Sequence, residues 1–284
     1  MTNTPSDFHV HSEWSWDTTS GHMESSCARA EALGLPSIAF TEHADFTPWT
    51  ITPETYARLS PRYQQMVTPD NLLLPPIFDV GGYMQAIDRC RTSFPDLKIH
   101  TGIELGEPNI HVTATRDVLS QGEFDRILAS SHSIDVSGEY HMVADCFRNE
   151  SAEQILRTYL IGLVEMVQRD NTFQVLAHID YPVRSWPTET EGPYTPEDYQ
   201  EEFREVLKAL ASTDRVLEIN TTVPLHPEIV TWWRDVGGQA VSFGSDAHSP
   251  DEIARNFEIA AAMAEAAGFK PRRDNPHDFW VRQK

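Results

Sequence analysis

Positive charge is scarce in this chain. Its 284 residues hold 22 lysines and arginines against 43 aspartates and glutamates, a formal net charge of −21. A field of that sign repels phosphate backbones and excludes a nucleic-acid polymer as partner. It does not exclude a small anionic substrate, because a cluster of bound cations reverses the sign locally. Cysteine is scarcer still. Cys27, Cys90 and Cys146 are widely spaced, odd in number and in no paired motif, which argues against a disulfide framework and for reduced thiols. No apolar run is long enough to span a bilayer. The opening MTNTPSDFHV lacks the basic and apolar regions of a secretory signal, so a cytoplasmic chain without membrane contact is expected. Internal repeats and low-complexity tracts are missing. So is a Gly-rich phosphate loop: DVGGY (79–83) and DVGGQ (235–239) have the wrong spacing and read as turns.

What the chain does have is a regular alternation. Apolar residues make up 40%, enough for a sizeable core in one domain spanning 1–284. Short apolar runs predict strands at 7–11, 37–41, 98–104, 126–131, 174–178, 215–220 and 240–245. Helical patterns lie between them. MESSCARAEALG (23–34) ends on a glycine suited to a helix C-terminus. The stretch 151–168 follows Ser151 as N-cap. The stretches 195–212 and 249–268 each begin with Ser or Thr, then Pro, then acids, the chemistry of a helix start. Seven strand–helix units predict an α/β chain of parallel strands joined by right-handed crossovers, which fits an open doubly wound sheet or a closed barrel. Residues 45–80, rich in Pro and Thr and with no clean strand, read as a rim or lid insertion.

The histidines fall at strand ends. His9 and His11 close the first strand, and Asp17 follows in the loop. His43 follows the second strand, Glu104 ends the third, His132 follows the fourth and His178 ends the fifth. Asp246 and His248 follow the seventh. Alternation puts His9 and His11 on one face. In a parallel barrel these ends share the C-terminal rim, where sites are built. Chance packing is a poor account of the set, because burying that many polar groups unpaired is costly. Imidazole and carboxylate without thiolate suit zinc, manganese or iron. Nine candidates exceed the roughly three protein ligands of one catalytic zinc, so two or three divalent transition-metal ions sharing a carboxylate fit the count.

The motifs HVH, TEH, GIELG, SSH, AHID and GSDAH, in that order along most of the chain, resemble the polymerase and histidinol phosphatase (PHP) family. The resemblance implies a distorted (β/α)7 TIM-like barrel with a trinuclear metal centre at the C-terminal rim of the strands. It implies that His9, His11, Glu104 and Asp246 hold one ion. Glu104 then bridges to a second held by His132 and His178, and Asp17, His43 and His248 hold the third. Glu13 is the rival to Asp17. Chain length, FTEHADF and the single-domain layout resemble the histidinol-phosphate phosphatases of histidine biosynthesis within that family.

The reaction so implied is phosphomonoester hydrolysis, a metal-bridged hydroxide attacking the phosphate while Glu104, Asp246 and His248 hold the catalytic ions. A nucleotide phosphatase or phosphodiesterase is the alternative within the family, and a non-catalytic metal-binding domain the alternative outside it. A phosphate site also wants a cationic fork, and Arg184 in HIDYPVR is the candidate, ahead of Arg116 and Arg255. Glu13, Trp14, Glu42, Phe46 and Glu107 are rim residues that could meet the amine and imidazole of histidinol phosphate or support the ligands. Glu42 is equally a candidate to orient His43.

Overall fold

The computed structural model describes residues 4–148, 150–275 and 277–283. Seven strands stand side by side in chain order and all run parallel: Asp7–Val10, Ser37–Ala44, Lys98–Gly106, Arg126–Ser130, Val175–Leu176, Val216–Asn220 and Ala240–Gly244. The sheet curls until its ends meet. Val10 bridges Ala247 in parallel, the Asp246 N–H donates to the His9 carbonyl at 2.8 Å, and the His11 N–H donates to the Ala247 carbonyl at 2.9 Å. The lower half of the seventh strand pairs instead with antiparallel Trp280–Arg282, which carries Phe269–Lys270 beyond it. The barrel is therefore closed at the top by the first strand and distorted at the bottom.

Alternation along each strand sorts the side chains. Ile38, Phe40, Ile103 and Leu105 face outward onto Met23, Cys27 and Ala30 of the helix Met23–Leu33 and onto Tyr83 and Ile87 of the helix Val80–Ser93. Leu176, Leu217, Ile219, Val241 and Phe243 face outward onto Leu156, Leu160 and Leu163 of the helix Ala152–Arg169 and onto later helices. Full burial of each such Leu or Phe contributes roughly 1.5–3 kcal/mol. Leu128, Val175, Ala177 and Val216 fill the barrel interior. Above that apolar layer the inward positions turn polar. A bulge in the first strand, where Asp7 is level with Ile38 but Val10 with Phe40, re-aims its side chains.

Several local expectations change in three dimensions. The helix read at 249–268 is broken: Pro250–Glu252 is one short 3₁₀ turn, and the α-helix runs Phe257–Ala266. The reason is Asp7, whose buried Oδ2 accepts the Ala254 N–H at 2.9 Å, while Ala254 and Asn256 adopt positive φ. The helix read at 195–212 starts as 3₁₀ over Pro196–Tyr199, Thr195 makes no side-chain cap, and the α-helix is Gln200–Ala211. DVGGY is not a turn, since Asp79 caps the helix Val80–Ser93 by accepting the Gly82 N–H at 2.9 Å. DVGGQ does turn the chain, with Gly237 at φ 102°. The fifth strand is shorter than 174–178, and the second and third run longer than read.

The segment after the second strand is not strandless. Trp49–Thr50 pairs antiparallel with Leu72–Leu73, two four-residue helices lie between, and Trp49, Ile51 and Leu73 form a small apolar cluster of their own. An unforeseen hairpin, Ser133–Val136 with Glu139–Met142, packs Tyr140 and Met142 against that cluster. No helix among the described residues is long and apolar enough to cross a membrane.

Candidate metal centre

The polar ends of the barrel strands converge at one mouth. Nε2 of His9 and Nε2 of His11 lie 3.0 Å apart. Glu104 Oε2 is 3.3 and 3.4 Å from these two nitrogens and 3.0 Å from His43 Nδ1. Its other oxygen, Oε1, is 2.8 Å from His178 Nε2 and 3.4 Å from His132 Nε2. Asp246 Oδ1 is 3.5 Å from His9 Nε2 and 3.2 Å from His11 Nε2. Asp17 Oδ2 is 3.3 Å from His43 Nε2 and 3.1 Å from His248 Nε2. All nine side chains singled out from the sequence are thus in one cluster. Overlapping sets of three, such as His9, His11 and Glu104, or His43, Glu104 and His132, are close enough to share an ion. His43 lies between Asp17 and Glu104 and is within reach of both.

Behind the cluster, a second set of groups decides which ring nitrogen faces inward. Glu218 Oε1 accepts from His9 Nδ1 at 2.6 Å. Asp45 Oδ1 accepts from His132 Nδ1 at 2.9 Å, and the Asp246 carbonyl accepts from His248 Nδ1 at 3.0 Å. Ser15 Oγ donates to Glu42 Oε2 at 2.6 Å, so it receives His11 Nδ1–H at 2.9 Å. In each ring the Nδ1 partner favours a proton there, the tautomer that leaves the Nε2 lone pair to a cation. Glu104 Oε2, His43 Nδ1, His178 Nδ1 and Asp17 Oδ1 are buried without a hydrogen-bond partner. Buried lone pairs facing one another are costly unless a cation stands among them, and this donor set fits divalent transition metals.

Electrostatics agree. Burial disfavours charge on His9, yet the Glu218, Asp246 and Glu104 carboxylates overcome it and hold its pKa well above 6.5. The same balance of burial against carboxylates raises His43 and His132. His11 goes the other way: burial and its imidazole neighbours His43 and His248 push it down to about 3. Burial would raise Glu104, but the surrounding histidines hold it well below its usual value. Without a metal, the cluster attracts protons. Asp246 also has a left-handed backbone, φ 53°, a conformation worth about 1–3 kcal/mol of strain that its contacts to the first strand sustain.

Glycines make room for these supports. A Cβ on Gly244 would collide with Glu218 and His9, and one on Gly106 with Asp45. Of the rim residues read from the sequence, several have other work. Glu13 accepts the Met23 N–H at 2.6 Å and caps the first helix, so it is not beside His43 and His248 as Asp17 is. Glu42 does not orient the His43 ring. It binds Ser12 and Ser15 and acts on His11 through Ser15. Trp14 lies over Gly82, and Phe46 faces His111 at 6.1 Å. Glu107 accepts the N–H groups of His132 and Ser133 at 2.6 and 2.9 Å, anchoring the His132 loop. Glu218, Asp45 and Ser15 do not stand out in the sequence as supports of the cluster. An acid inside the apolar run VLEIN was the one legible signal.

A cavity of about 300 Å³ opens beside the cluster. Arg184 forms part of its wall, donating to Asp246 Oδ2 at 2.5 Å and Asn220 Oδ1 at 3.1 Å, with its guanidinium 4.8 Å from the Tyr181 ring. Arg116 and Arg255 do not line it. Trp16, Trp49, Leu59, Tyr63, Leu73 and Met142 supply an apolar wall facing the histidines.

Comparison with known proteins follows the same lines. The PHP domain family profile matches residues 7–222. A histidinol-phosphatase of Lactococcus lactis is 27% identical over 277 residues, covering 93% of this chain and 91% of that one. A relative from Clostridium acetobutylicum, named "probable histidinol-phosphatase", is 26% identical over 202 residues, covering 69% of this chain and 76% of that one. A crystal structure of histidinol phosphate phosphatase from Lactococcus lactis, complexed with zinc, L-histidinol and phosphate, superposes with a TM-score of 0.75 at 23% identity over 93% of this chain and 94% of that one. That likeness establishes the distorted barrel.

Proposed function

The chain belongs to the PHP domain family, and from that premise we propose that it is a metal-dependent phosphomonoester hydrolase acting on L-histidinol phosphate. The observation that carries this reading is Glu104, whose two buried oxygens face five imidazoles with Oε2 left unpartnered. The Lactococcus lactis relative named histidinol-phosphatase, matched over 93% of this chain, supports histidinol phosphate as the substrate. His9, His11, Glu104 and Asp246 would hold one ion. Glu104, His132 and His178 would hold a second, and Asp17, His43 and His248 a third. When bound, zinc, manganese or iron supplies Lewis acidity toward phosphoryl oxygens and water acidified toward neutral pH.

The chain's own residues do the rest. Glu104, Asp246 and His248 would hold the ions beside the reacting phosphoryl group. Arg184 lines the cavity, held through Nη2 by Asp246 and Asn220, and its guanidinium is the charge-assisted fork that would grip and orient a phosphate. The insertion over 45–80 forms the rim of the single barrel domain. Its Trp49, Leu59, Tyr63 and Leu73 exclude water and receive the alcohol half of the substrate.

Elemental analysis should find two to three transition-metal ions per chain, and chelation should abolish activity that zinc, manganese or iron restores. Rates measured side by side on histidinol phosphate and nucleoside monophosphates decide the substrate. Faster turnover of the nucleotides would replace this reading with the nucleotide phosphatase. A chain that binds no metal and cleaves neither would be a non-catalytic domain.

A further inference from the structure

Asp17 differs from the other eight side chains of the cluster. They stand in strands or within a few residues of a strand end, whereas Asp17 sits midway along the irregular loop between Val10 and the helix at Met23. Its carboxylate nevertheless reaches both His43 and His248, and its Oδ1 is buried without a partner. The barrel holds this loop at Ser12 and Ser15 through Glu42, and the stretch carrying Asp17 is gripped again from outside the barrel.

The insertion supplies that outer grip. Tyr63 Oη donates to the Asp17 carbonyl at 2.6 Å, and Arg62 Nη1 donates to the Thr18 carbonyl at 2.5 Å. Both donors come from one short helix, Pro61–Gln64, fixed by Pro61 and the Ser60 cap. Between them and the barrel lies Trp16, with ring centroids 5.6 Å from Trp49 and 5.7 Å from Tyr63. Its Nε1 donates to Asp45 Oδ2 at 2.8 Å, and Asp45 is the residue that orients His132. The loop is gripped on two backbone carbonyls and one indole, and all three contacts lead back to the insertion or the cluster.

We infer that the insertion is a latch for the metal centre: Tyr63 and Arg62 are positioning residues that hold Asp17 where it can share an ion with His43 and His248. This rests on the proposed metal reading. It assigns the insertion a role beyond covering the cavity, since movement of the rim would loosen one ion and leave the barrel-held ions in place.

The test is calorimetric titration of chelator-stripped full-length protein with manganese chloride, alongside elemental analysis after desalting. Tyr63→Phe keeps the ring against Trp16 and removes only the donor. The expected result is one weakened binding step, by roughly 2- to 10-fold for a lost hydrogen bond, with the other steps at wild-type affinity. Arg62→Ala combined with Tyr63→Phe should weaken that same step by roughly tenfold or more. Tyr56→Phe, an exposed change on the same insertion, should alter nothing. The metal-free variants should keep the wild-type circular dichroism, and weakening confined to one step is what a merely structural role would not give. Equal affinities in wild type and the double variant, or equal weakening of every step, would overturn the latch while leaving the metal centre standing. A wild-type chain that binds no manganese would remove both.

Discussion

Exchanging Glu218 for glutamine replaces one oxygen by a nitrogen at the base of the site. Glu218 is buried, and its three close partners are all donors: His9 Nδ1 at 2.6 Å, the His178 N–H at 2.8 Å and Asn220 Nδ2 at 3.1 Å. An amide cannot accept from all of them. With its NH2 toward His9, the ring must carry its proton on Nε2, the nitrogen that faces His11, Glu104 and Asp246, and that nitrogen can no longer ligate. With its NH2 toward the other side, the buried His178 N–H is left unpaired at a cost of about 1–3 kcal/mol. Groups that orient a ligating histidine are worth roughly 10- to 100-fold in metal affinity, or about 1.4–2.8 kcal/mol. Titration of the metal-free variant with zinc should therefore show a step weakened by that factor, while circular dichroism shows the fold intact. Wild-type affinity at every step in a folded Glu218→Gln protein would refute the argument that this carboxylate sets the His9 tautomer.

Glu104→Gln should abolish activity and metal retention in a folded protein, because an amide lacks two anionic oxygens. Glu107→Gln should instead lower the melting temperature and leave metal content near wild type, as Glu107 holds backbone N–H groups; equal metal loss in the two would reject this division. Arg184→Ala should lower kcat/KM roughly tenfold to a hundredfold, the worth of a charge-assisted bond of about 1.5–3 kcal/mol, and Arg184→Lys should recover only part. Unchanged kinetics in the alanine variant would remove Arg184 from the site. Metal uptake near neutral pH should release protons. The carboxylates hold His9, His43 and His132 above 6.5, so these rings are protonated when metal-free and must give up the proton to bind. Apparent affinity should rise with pH, and binding heats that do not vary with the ionisation enthalpy of the buffer would contradict this.

Local pattern alone determined the seven strands and the placement of His9, His11, His43, Glu104, His132, His178, Asp246 and His248 at their ends, while an open sheet and a closed barrel fitted it equally. Strand periodicity is a short-range property, and a parallel barrel sends all such ends to one rim. Tertiary structure decided what depends on partners far along the chain. Asp7 and Ala254 are 247 residues apart, and their hydrogen bond breaks a helix that every local signal favoured. Glu218 and His9 are 209 apart, and no spacing rule links them. Asp17 rather than Glu13 reaches His43 and His248 because Glu13 is spent on the Met23 N–H and Tyr63 holds the Asp17 backbone. Residue type sets what a side chain can bind. Which of its atoms is free to bind is set by hydrogen bonds made only when distant strands and the insertion close around it.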